Sequence, residues 1–253
     1  MRDLTYPPII VAVKTIFRGM GIRFDVAGTE HIPRRGGAVL AVNHISYVDF
    51  VFAGYAADRA GRRVRFMSKR ELFDHRLTGP LMRSLHHIEV DRAAGTQSYR
   101  TALDYLRAGE VVGVFPEATI SRSFELKDFK SGAVRLAAAR GVPLVPVVLW
   151  GTHRIYTKDH PRDFSRGRRV TIRVGAPLHP GTDRTGGEAA LRTAMGGLLD
   201  DAVRGYPDIE PGAWWLPASY GGSAPTREEA DRLDAEEHER RRQRAEQRHP
   251  RKR

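Results

Sequence analysis

Short apolar runs alternating with longer amphipathic stretches set out the plan of this chain. Ala38 to Val42 is an uncharged run ending at Asn43, while Val111 to Phe115 and Gly141 to Trp150 are apolar apart from Gly and Pro. Such runs predict strands buried on both faces of a sheet. The prolines of the third run, Pro143 and Pro146, favour the start of that strand or a sheet edge. Ile22 to Ala27, Val64 to Ser68, His87 to Val90 and Arg169 to Val174 alternate and read as further strands. Helices are predicted over Tyr47 to Ala57, over Glu71 to Leu85 as one or two pieces broken near Gly79-Pro80, and over Thr96 to Arg107. An Ala-rich helix follows Gly132 to Arg140, and an amphipathic helix over Glu188 to Arg204 closes the series. The rhythm predicts an α/β fold with a mixed, largely parallel central sheet flanked by helices.

The two ends read differently from this body. Leu4 to Val13 is uncharged, with Pro7 and Pro8 at a helix start, and predicts an N-terminal amphipathic helix through about Met20. That helix would either lie in a membrane interface or pack on its own domain. Residues 207–223 carry Trp214-Trp215 and several prolines, a pair that reads as packing against the protein before it reads as a bilayer anchor. Residues 224–253 mix charges with almost no large apolar side chain and predict a disordered or solvated helical tail. The expected organisation is therefore a helix over 1–22, a domain over 23–206, an extension over 207–223 and a tail over 224–253.

Composition narrows the function classes. The 253 residues hold no Cys, which excludes disulfides and thiolate metal sites. The formal charge is +12, and the segment after Ser223, with 10 basic and 8 acidic residues, takes only a small part of it. The folded body is thus basic and suited to anionic partners such as lipid headgroups or phosphorylated substrates. Arg outnumbers Lys heavily, as genome base composition alone can produce, and no nucleic-acid reading motif accompanies it, so no nucleic acid is expected. No uncharged run approaches the roughly 18 residues of a spanning helix, and the N-terminus lacks the pattern of a cleaved secretory signal.

The candidate chemistry lies where the strands end. His44 directly follows the Ala38–Asn43 run, and Asp49 comes five residues later in the first turns of a predicted helix. A carboxylate reaching back from that helix would fix the imidazole, leaving His44 as a general base with Asp49 setting its tautomer. A lone His near a turn also serves for capping or packing. Lys69, Arg92 and Glu117 fall after other strand ends, however, and open α/β sheets gather ligands there. Phe115 to Arg122 adds a carboxylate at Glu117, a hydroxyl at Thr119 and a guanidinium at Arg122 on a rigid turn, and Lys130 stands near the start of the Ala-rich helix, where side-chain cations and helix N–H groups together suit a phosphate. No Ser or Cys nucleophile stands beside His44, which points to direct activation of a substrate hydroxyl.

With Asn43, His44 and Asp49 as an Asn-His-x-x-x-x-Asp block, the chain resembles the lysophosphatidate acyltransferase family of glycerolipid acyltransferases. Three further blocks follow in the family's order. His87 to Arg92 is similar to the second, Phe115 to Ser121 to the third, usually Phe-Pro-Glu-Gly-Thr-Arg-Ser, and Leu144 to Val147 to the Val-Pro fourth. The resemblance implies acyl transfer from acyl-CoA, or from acyl carrier protein, to the free hydroxyl of a lysolipid at an anionic membrane surface. It implies no metal and no cofactor beyond that donor, a peripheral location on the cytoplasmic face, His44 as base, and Arg92, Glu117 and Thr119 at the acceptor's phosphate. Lys69 and Lys130 are added to that set from their positions alone. Two residues depart from the family: Ala118 replaces its Gly, which a negative φ would accommodate, and Ile120 replaces its Arg, for which Arg122 is a candidate substitute. Ile120 also leaves room for another acceptor, a different lysophospholipid or a glycolipid, and a catalytically idle lipid-binding protein is the reading from outside the enzymes.

Overall fold

The structure, a computed structural model, describes residues 4–91, 95–207 and 209–248. It falls into two compact units, Met1–Ile120 with Leu126–Pro207, and Ser121–Glu125 with Asp208–Arg253. Within the first unit, α1 (Tyr6–Gly19) leads to β1 (Arg23–Ala27), β2 (Ala38–Val42), α2 (Asp49–Arg59), β3 (Val64–Lys69), α3 (Arg70–Asp74), α4 (Thr78–Ser84) and β4 (Ile88–Val90). The chain continues through α5 (Gly95–Arg107), β5 (Val111–Val114), α6 (Gly132–Arg140), β6 (Leu144–Trp150), β7 (Arg169–Val174) and α7 (Arg184–Arg204).

The strands form one sheet in the order β1-β7-β6-β2-β5-β3-β4, parallel at every junction except β6 with β7. Strands β2 to β6 therefore aim their carboxyl ends at one edge, and β6, β2 and β5 do so as immediate neighbours. This is the expected mixed, largely parallel sheet. One face packs Leu40, Val42, Val147, Leu149 and Ile172 against Phe52, Ala53, Ala56 and Ala57 of α2 and Phe17 of α1. Helices α5, α6 and α7 pack along the alternate residues of the other face. Gly113 of β5 sits where a Cβ would come within 2.5 Å of the Phe66 ring, so its missing side chain lets that ring lie across the strand.

Several boundaries depart from the sequence reading for local reasons. Strand β6 is interior, not an edge. Pro146 is tolerated there because the β6–β7 register ends at Val147↔Val174, so its missing N–H falls where that ladder stops, while its carbonyl still accepts from Gly175 N at 2.9 Å. Helix α2 begins at Asp49 and not Tyr47, because Ser46 caps the N–H of Val48 while its own N–H is taken by Asp49. Helix α7 starts four residues early at Arg184, with Asp183 accepting from Gly186 N, although Gly186 and Gly187 hide that first turn from propensity. The break between α3 and α4 falls at 75–77, and Pro80 is absorbed into the first turn of α4.

Helix α1 is tied to its own domain. The Tyr6 hydroxyl donates to the Val64 carbonyl at 3.1 Å and lies near the N–H of the same residue. Its outer side still exposes Val11 and Ile16, at 64% and 57%, and Leu4, just before the helix, is 81% exposed. Among the described residues, no helix is long and apolar enough to cross a membrane.

The second unit joins residues 121–125 to the C-terminal segment. Arg122, buried, pairs with Asp234 and with Glu237 at 2.9 Å, both on α8 (Arg227–Arg248). Ser219 donates to the Glu125 carboxylate at 2.5 Å, and Phe124 meets Trp214 edge to face at 6.1 Å. Trp215 is buried and Trp214 partly exposed. Among the described residues, 209–223 and 224–248, separate in the sequence reading, thus share one unit, and the tail from Arg227 to Arg248 is a helix, largely exposed, with Ala230 and Asp234 buried.

Candidate active site

The carboxyl ends of β6, β2 and β5 bring three loops together, and His44 stands in the middle one. Its Nδ1 lies 3.0 Å from Asp49 Oδ2. That oxygen also accepts from the backbone N–H groups of Ile45 and Ser46, each at 2.7 Å, and Oδ1 accepts from Thr152 Oγ1 at 2.6 Å. The carboxylate is fully buried with four donors, while the imidazole keeps 21% of its side chain exposed. An acceptor-only carboxylate requires the Nδ1 proton between the two groups, which leaves the lone pair of the neutral ring on Nε2. The ring is further held by stacking on Phe115, with centroids 4.2 Å apart and planes at 25°.

Neighbouring segments fix the rest of the turn. Asn43 clasps β6 through both ends of its amide, donating to Leu149 O at 3.0 Å and accepting from Leu149 N at 2.7 Å. Tyr156 O accepts from Ser46 Oγ at 2.5 Å and from Tyr47 N at 3.1 Å, and Thr157 Oγ1 donates to Ile45 O at 2.7 Å. Glu117 closes the other side, with Oε1 accepting from His44 N at 2.9 Å and Oε2 from Lys127 N at 3.2 Å. Glu117 was read as lining the acceptor's phosphate pocket. Buried and bonded to two backbone amides, its carboxyl anchors the His44 turn. Burial raises its pKa to about 8, against the pull of the His44 and Lys127 amides and with a further push from the Asp49 charge.

The remaining candidates are dispersed. Thr119 is half-buried and accepts from Lys158 Nζ at 3.1 Å. Lys69 ends β3 on the surface, and Lys130 is exposed, its backbone N–H bound to Pro116 O at 2.8 Å. Arg92 lies outside the described residues. Arg122 is held within the second unit by Asp234 and Glu237, so its charge is already matched, and it is no spare cation to replace the missing arginine. Ile120 is buried at 3% exposure. Ala118, expected at negative φ, has φ +59, the left-handed conformation that glycine adopts at least cost. The sequence reading missed Thr152 and Lys158, both in the loop after β6. No local spacing links either to His44 or Thr119, although a hydroxyl just beyond a buried strand is the signal that singles out Thr152.

Comparison with known proteins gives a consistent picture. A sequence model of the family described as Acyltransferase matches residues 23–150. A 1-acyl-sn-glycerol-3-phosphate acyltransferase of Bacillus subtilis (strain 168) is 32% identical over 155 residues, 61% of this chain and 73% of that protein. The enzyme of the same name from Limnanthes douglasii is 35% identical over 163 residues, 63% of this chain but 56% of its own length. The crystal structure of the 1-acyl-sn-glycerophosphate (LPA) acyltransferase PlsC from Thermotoga maritima superposes with a TM-score of 0.61 over 76% of this chain and 78% of that one; at 24% identity it speaks to the fold alone.

Two outcomes follow from this geometry. Because the folded Glu117 binds its proton more tightly than the unfolded chain does, its contribution to stability is full below pH 4.5 and is lost as pH rises through about 8. Urea unfolding of wild type against Glu117→Gln between pH 5 and 9 should show the wild type losing on the order of a few kcal/mol relative to the variant; parallel curves would contradict the raised pKa. Ala118→Gly should stabilise the protein by about 0.5–1 kcal/mol in the same measurement by relieving the left-handed alanine.

Proposed function

This chain belongs to the lysophosphatidate acyltransferase family, and on that premise we propose that it transfers a fatty acyl group from acyl-CoA, or from acyl carrier protein, to the free hydroxyl of lysophosphatidate. The chain is an acyltransferase; donor, acceptor and residue roles are the proposal. The observation that carries it is the His44–Asp49 pair, with Nδ1 committed to a buried carboxylate and Nε2 left to act as base.

In this reading the acceptor hydroxyl gives its proton to His44 Nε2 while its oxygen attacks the thioester carbonyl. A C–O bond forms, the tetrahedral oxyanion collapses with cleavage of the C–S bond, and the imidazolium returns the proton to the departing thiolate sulfur. Asp49 stabilises the imidazolium and holds the ring. No covalent intermediate on the enzyme and no metal or other cofactor is needed.

A place for the acyl chain is at hand. Phe115, stacked on His44, also stacks on Phe66 at 5.9 Å, and Phe66 walls an apolar cavity of about 80 Å³ that opens to solvent. Ile9, Ile10 and Val13 of α1 face Phe50, Val51 and Gly54 of α2 across it. The exposed apolar residues of α1 and the basic charge of the chain support peripheral binding at the cytoplasmic face of an anionic membrane.

The test is transfer from labelled palmitoyl-CoA in detergent micelles, with lysophosphatidate, other lysophospholipids and an acylated glycolipid offered separately. We expect product from lysophosphatidate and a loss of roughly 10²–10⁴-fold in His44→Ala. Product from another acceptor alone would overturn the acceptor, and unchanged turnover in the variant would overturn the role of His44. A Cβ on Gly54 meets nothing within 4 Å. Gly54→Phe should therefore fill the cavity and shift preference toward shorter acyl-CoA chains, read as a change in kcat/KM across a chain-length series.

A further inference from the structure

We infer that the ammonium of Lys158, presented on Thr119, binds the phosphate of the acyl acceptor. The inference rests on the acceptor reading above and deepens it by supplying a cation that the family's blocks do not contain. The third block brings none of its own: position 120 is a buried isoleucine, and Arg122 is matched by Asp234 and Glu237. Lys158 approaches that block from a different loop, its Nζ 3.1 Å from Thr119 Oγ1.

Both partners are held at the reaction centre by short tethers. Thr119 is two residues from Glu117, whose carboxyl binds the His44 amide. Lys158 directly follows Tyr156 and Thr157, which bond to Ser46, Tyr47 and Ile45 of the turn after His44. In 1-acylglycerol 3-phosphate the phosphate is carried on the carbon next to the one bearing the reacting hydroxyl. A hydroxyl at His44 Nε2 therefore places the phosphate close to that nitrogen, on the side of the site where Thr119 and Lys158 are tethered to the segments that hold the His44 turn. A lysine ammonium has three N–H donors, so contact with the threonine and with a phosphate oxygen are compatible. Lys158 is half-buried, where an ion pair is screened less than at the surface.

The test measures KM and kcat for lysophosphatidate and for a phosphate-free monoacylglycerol in Lys158→Ala, Lys158→Gln and Lys158→Arg. We expect Lys158→Ala and Lys158→Gln to raise KM for lysophosphatidate about 10- to 100-fold with kcat little changed, to leave monoacylglycerol untouched, and Lys158→Arg to recover most of the loss. Glutamine keeps a donor for Thr119 without the charge, so recovery by Lys158→Gln would reveal a structural tie and overturn the inference, as would equal losses on both acceptors. An unchanged KM in all three variants, with a wild type that prefers lysophosphatidate, would overturn the role of Lys158 alone. A wild type that does not distinguish the two acceptors would overturn the acceptor reading and this inference with it.

Discussion

A buried carboxylate is costly unless every lone pair finds a donor, and Asp49 imposes that condition on the centre of this protein. Its four donors are the Ile45 and Ser46 amides, the Thr152 hydroxyl and the His44 ring. Satisfying them shapes the turn after β2, sets where α2 can begin and fixes the imidazole tautomer. The general base of the proposed reaction is a by-product of that requirement: once Nδ1 is bound, Nε2 is the nitrogen left to meet substrate.

The condition can be met because of the order of the strands. β6, β2 and β5 are adjacent and parallel, so the loops carrying Thr152, His44 and Glu117 emerge side by side. Asn43 spans two of them by pairing with both backbone groups of Leu149, and Glu117 reaches from the third to the His44 amide. Reversal of direction begins only at β7, outside this trio. The sheet therefore acts as the scaffold for a site whose polar parts come from loops, the division of labour common to α/β enzymes.

What the sequence disclosed follows from range. The strands, the helices and the His44–Asp49 pair are local patterns, and each appears in the structure within a few residues of its reading. Long-range facts were not legible: the clasp of Asn43 on Leu149 spans 106 residues, the bond of Thr152 to Asp49 spans 103, and the pairing of Arg122 with α8 joins segments more than a hundred residues apart. A run of mixed charge such as 224–248 gives no hint that Asp234 will be buried against an arginine. The partners of Glu117 were hidden for a related reason. Its position after a strand is visible in the sequence, but whether a carboxyl there faces substrate or backbone amides depends on a neighbour 73 residues away.

The two departures in the third block differ in kind. Ala118 keeps the left-handed backbone its position demands, so the turn is held by its anchors and not by glycine's freedom. Those anchors are backbone bonds: Ala118 N to Phe115 O at 3.0 Å, Lys130 N to Pro116 O at 2.8 Å, and the Glu117 carboxyl between His44 N and Lys127 N. Since none of them involves the side chain of residue 120, Ile120 removes a charge without disturbing the frame around His44. On the proposed function the change would fall on what the site recognises, and it leaves the groups that would move the proton where they are. In the proposed reaction, a basic group offered from a separate loop would compensate without any rearrangement of the base, so that selectivity for the acceptor and the chemistry at His44 rest on different parts of the frame.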